Sequence, residues 1–135
     1  MTDYDLISLY QESATLQNEI LINYIYVVFA FLVAGYFVAD KLKLIMSILV
    51  VLLFSAISGF FFLELYYLSN DMGVVASEMA LRVSNSEFML PKLGMVQLTD
   101  GIALIDISLR LATYGSYFGA LVFFFYQRDQ GTKAL

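Results

Sequence analysis

The chain has 135 residues, 61% of them apolar and 14% charged, and its 12 acids and 7 bases leave a net charge of −5. A soluble domain carries about a quarter charged residues and about half apolar ones, so this composition, with a mean hydropathy of +0.79, points to lipid as the solvent. So few cations argue against nucleic-acid binding, the absence of cysteine excludes disulfides, and the absence of histidine removes the commonest metal ligand and acid–base catalyst.

Residues 1–19 carry Asp3, Asp5, Glu12 and Glu19 and no Lys or Arg. A secretory signal opens with positive charge, so this stretch is expected to stay as an acidic helical leader outside the membrane. Thr2 with Asp5 three residues on has the form of a capping box. Leu6, Leu9, Ser13, Leu16 and Ile20 recur at spacings of three and four, a heptad-like seam. It covers barely two heptads, so the leader should pack on its own chain or on the same helix of a neighbour.

The first span is predicted over residues 20–39, which lie without a charge between Glu19 and Asp40. Nothing breaks the helix between leader and span, so both should form one rod of about 37 residues and roughly 55 Å. Ala30 and Ala34 give it a small-residue step. The link Asp40-Lys-Leu-Lys43 is short enough to force spans one and two into antiparallel contact. Its two lysines, with Arg128 and Lys133 near the C-terminus, put those ends in the cytoplasm by the positive-inside rule, with the N-terminus outside the cell inner membrane.

The second span covers residues 44–68, of which 44–63 carry no charge, with Ser55, Ser58 and Gly59 as its small positions. Tyr66 and Tyr67, with Tyr24 and Tyr26 of the first span, suit an interfacial aromatic belt. Asn70-Asp-Met-Gly73 predicts a helix stop, Gly73 supplying a left-handed cap. Residues 69–98 then form an outer amphipathic segment. In it Met72, Val75, Ala76, Met79, Ala80 and Val83 share one helical face, and Glu78 pairs with Arg82 on the other. Pro91 and Gly94 should interrupt structure between Ser84 and Val96. With 30 residues between the spans, too few for an independent core, this segment should lie on the leader helix or on the membrane surface.

The third span is predicted over residues 99–127. Asp106 and Arg110 stand one turn apart, where opposite charges meet. Further in, Gly115 and Gly119 form a GxxxG step, flanked by Ala112, Ser116 and Ala120, at which a second helix could approach closely in lipid. The contact could be made within the chain or with another copy. Tyr117 falls near mid-membrane, and its hydroxyl needs a carbonyl or serine of a neighbouring helix. The runs Phe60–Phe62 and Phe123–Phe125 read as lipid-facing bulk and packing.

Counting depth along the three spans puts Asn23, Glu64, Asp106 and Arg110 at one level beneath the outer surface. Ionisable groups there favour protein partners, so Arg110 is expected to bond Glu64, Asp106 or both, with Asn23 nearby. Three roles are open to this polar cluster: a latch between helix ends, the mouth of an ion or proton path, or charges that reach water separately.

No P-loop, GxSxG, HExxH, CxxC or paired-acid motif is present. The expectation is a non-enzyme without metal or cofactor. The opening Asp3-Tyr-Asp-Leu-Ile-Ser-Leu9 and the segment Ala34-Gly-Tyr-Phe-Val-Ala-Asp-Lys-Leu42 resemble a group of small, uncharacterised three-span proteins of bacteria. That resemblance covers the first third of the chain and implies bacterial origin and no activity. The sequence therefore predicts an all-α, three-span integral membrane protein that contacts lipid and serves as a helical subunit or scaffold, assembling with itself or with other membrane subunits. A small homo-oligomeric channel or transporter component, its polar mouth lined by Asn23, Glu64 and Arg110, is the alternative. A lipid- or quinone-handling role using Tyr117 is a third.

Overall fold

The structure, a computed structural model, describes residues 2–84 and 89–133, with side chains for all of these outside 83–103. Three helices account for nearly all of it: α1 (Asp3–Val38), α2 (Leu44–Ser84) and α3 (Met89–Lys133), with a single 3₁₀ turn, Ala39–Lys41, after α1. They form an up-down-up bundle in which each helix touches the other two. All three are long and apolar enough to cross a membrane.

Thr2 starts α1 with the expected capping box: its hydroxyl accepts the Asp5 backbone N–H, and the Asp5 carboxylate accepts the Thr2 N–H at 2.7 Å. From there α1 runs 36 residues without a break. Its inward positions are Leu6, Tyr10, Ser13, Gln17, Tyr24, Val28, Phe31 and Gly35, spaced by threes and fours or their sums. Leu9 and Leu16, expected in the seam, are exposed. Tyr10 and Gln17 replace them because the register of the membrane span continues back into the leader, and there the long rod decides which side faces in.

α2 does not stop at Gly73. It continues for 41 residues to Ser84, and no described glycine has positive φ. A glycine inside a helix costs about 1 kcal/mol, and here the inward series Leu65, Ser69, Met72, Ala76 and Ala80 carries the packing face straight through it. Of the segment expected over 69–98, residues 69–84 are thus the far half of the second helix and 89–98 the start of α3, not a separate element. It lies beside the leader, where Arg82 bridges Asp3 of α1 and Glu78 of its own helix, both at 3.1 Å.

α3 likewise runs through Pro91 and Gly94 for 45 residues. Pro91 falls in the first turn, where backbone N–H groups lack helical partners and a missing one is tolerated. Part of the break expected over Ser84–Val96, residues 85–88, lies outside the described residues.

One aromatic ring from each helix fills the centre. Phe31 stacks on Phe54 at 3.9 Å between ring centroids and on Phe124 at 5.2 Å, and all three are buried. Two glycines let α3 close on the rest. A Cβ at Gly35 would come within 3.2 Å of the Phe124 ring, and one at Gly131 within 2.8 Å of the Asp40 Cα. The C-terminal end of α3 therefore sits directly on the short link, as the sign of its charge had placed it.

Candidate functional site

The antiparallel packing of α2 and α3 sets which residues meet. Ser69 stands opposite Asp106 and Ser55 opposite Tyr117, and both pairs are bonded. Ser69 Oγ donates to Asp106 Oδ1 at 2.8 Å, while Asp106 Oδ2 lies 3.0 Å from Arg110 Nε. One carboxylate thus holds a serine from the neighbouring helix and an arginine one turn along its own. Arg110 is about half exposed, and its two terminal nitrogens have no partner among the described residues.

Glu64 and Asn23 do not join this cluster. The same antiparallel register puts Glu64 level with Arg110, but Leu65 takes the buried position and Glu64 points about 100° away from it. Asn23 is exposed, because its neighbour Tyr24 is the inward residue of that turn. Ser69, which completes the cluster in their place, was readable only through the register, since nothing in its local sequence marks it.

A second set of hydroxyls joins the helices deeper in the bundle. Tyr24, expected at the interface, is only 2% exposed. Its hydroxyl donates to the Thr113 carbonyl at 3.0 Å, with Ser116 Oγ 3.3 Å away. Tyr117 finds the serine partner its depth requires: its hydroxyl is 2.7 Å from Ser55 Oγ. Thr113 Oγ1 donates back to the Leu109 carbonyl at 2.8 Å, a local bond that satisfies a hydroxyl within a helix. These groups bond to one another and to backbone, and so tie the helices together.

The small residues of α3 divide between two faces. Ala120 is buried and Ser116 half-buried in the bundle, while Ala112, Gly115 and Gly119 face outward. A Cβ added at Gly115 or Gly119 would meet nothing within 4 Å. Among the described residues, nothing in the chain packs against the GxxxG step. Phe118 and Val122 beside it are exposed as well.

Two hollows open between α2 and α3. A small one, about 30 Å³, lies against Asp106 and Arg110. A larger groove of about 640 Å³ is floored by Ser55, Ala56 and Gly59. Phe62, Tyr66 and Tyr114 line both. Among the described residues no group of three or more acids could hold a metal ion. This is a three-helix bundle of the membrane-spanning kind with a polar cluster partway along the contact of α2 and α3. Comparison with family models, curated proteins and solved structures finds no match to the chain.

Proposed function

We propose that this chain is a non-catalytic integral membrane subunit that assembles, with itself or with another membrane protein, through the outward small-residue face of α3. The observation that carries this reading is the position of Gly115 and Gly119, both open to the outside with no atom waiting for a side chain. In lipid, helices associate by close backbone approach rather than by hydrophobic drive, and a step of small residues permits it. The hydroxyls and charges on the page serve cohesion: Tyr24 with Thr113, Ser55 with Tyr117, Ser69 with Asp106 and Arg110.

In this reading the end that carries Lys41, Lys43, Arg128 and Lys133 is cytoplasmic, and the leader with the far half of α2 stands outside the membrane. A polar path through a single bundle is disfavoured by Phe31, Phe54 and Phe124, which fill its centre, so any conduction would run between copies. Native mass spectrometry in mild detergent tests the proposal. An oligomer or a copurifying membrane subunit that is lost in Gly115→Leu and Gly119→Leu supports it. A wild-type chain that is monomeric and copurifies with nothing overturns it.

A further inference from the structure

We infer that the groove between α2 and α3 is a binding site for one phospholipid, its phosphate held by Arg110 and one acyl chain laid over Gly59. This site lies apart from the Gly115–Gly119 face and does not depend on it. Three observations converge. The first is length: the groove runs from Ser55 to Tyr66 along α2, 11 residues or about 17 Å. That matches half of a hydrocarbon core of about 30 Å, the depth of one leaflet. A partner helix crossing the bilayer would need a furrow along both leaflets.

The second is charge. Asp106 takes up Nε of Arg110 and is itself held by Ser69, and among the described residues both terminal nitrogens of Arg110 are without a partner. A guanidinium with both terminal nitrogens available, in the hollow next to an apolar groove, can bind phosphate bidentately. The third is adjacency: Phe62, Tyr66 and Tyr114 line both the hollow against Arg110 and the groove, so a headgroup position and a chain position lie side by side across these three rings. The hydroxyls of Tyr66 and Tyr114 have no hydrogen-bond partner among the described residues, and are placed to donate to phosphate or ester oxygens.

The test is native mass spectrometry of the delipidated protein titrated with palmitoyl-oleoyl phosphatidylglycerol, or with the matching diacylglycerol, which lacks phosphate. The wild-type chain is expected to retain one phospholipid and to prefer it over diacylglycerol by about tenfold or more. Arg110→Gln should abolish that preference while leaving weak binding of both. Gly59→Leu should reduce retention of both lipids, and because a Cβ at Gly59 meets nothing within 4 Å, the bundle should keep its helicity and its elution volume. Equal retention of the two lipids by wild-type protein overturns the inference. So does phospholipid retention unchanged in both variants, or a groove occupied by a second copy, seen as a dimer that Gly59→Leu abolishes.

Discussion

The hydroxyl of Tyr24 on α1 donates to the carbonyl oxygen of Thr113 on α3 across 3.0 Å, in a site closed to solvent and lipid alike. The two residues are 89 positions apart in sequence, and the bond ties the first helix to the last. Tyr24→Phe removes that bond but keeps the ring, so it should cost about 0.5–1.5 kcal/mol. Tyr24→Ala also empties the space between Phe61 and Phe62, whose rings lie within 5.9 Å of it, and should cost about 3–5 kcal/mol. Thermal unfolding in detergent, followed by circular dichroism, would rank the two.

The glycines should respond in opposite directions. Gly131→Ala puts a methyl group against the Asp40 backbone, which cannot swing aside as a side chain would, so a loss of about 1–3 kcal/mol is expected. Gly59→Ala meets open space and should stabilise α2 by up to about 1 kcal/mol through helix propensity alone. Denaturation midpoints of the two variants, measured side by side, decide it.

At the polar cluster, Ser69→Ala removes a neutral donor from a charged acceptor and should cost about 1–2 kcal/mol. Arg110→Ala should cost less, under about 1 kcal/mol, because the ion pair is partly exposed and lies within one helix. Glu64→Gln, which touches neither, should leave stability unchanged. A double-mutant cycle between positions 69 and 110 should show coupling through the Asp106 carboxylate they share. Additivity of the two changes would deny it.

Hydrogen bonds from the Thr2 hydroxyl and backbone hold the Asp5 carboxyl below its ordinary pKa. A depressed carboxylate stabilises the folded state above its unfolded pKa and loses that contribution as pH falls through the folded value. The first turn of α1 should therefore fray in acid, below the ordinary carboxylate range, while the spans stay intact. Amide exchange of residues 3–6, compared between pH 6 and acid conditions, reads this directly. Asp5→Asn should remove the pH dependence.

Much of the fold could be read from the chain because lipid imposes simple rules. Uncharged runs marked the three helices, a four-residue link forced an antiparallel pair, and Lys41, Lys43, Arg128 and Lys133 marked the end where the link meets the C-terminal part of α3. Depth counting put Tyr117 where its hydroxyl needs a carbonyl or serine of a neighbouring helix, and Ser55 supplies it. It could not find azimuth. Depth alone put Asn23 and Glu64 beside Arg110, yet Tyr24 and Leu65 occupy the inward positions and turn both away. The GxxxG step failed to declare its side for the same reason: in a helix apolar all round, no polar face marks the outside. Gly73 read as a stop because local signals cannot see the packing face that continues past it.

The central claim is that the outer face of α3 meets another helix. Because the chain has no cysteine, single substitutions Gly115→Cys and Gly119→Cys report that face alone. Oxidative and bifunctional crosslinking in native membranes should trap a dimer or a defined larger partner from both. Ala120→Cys, buried inside the bundle, should trap nothing. A chain that remains monomeric at positions 115 and 119, or crosslinks equally from position 120, would contradict the account.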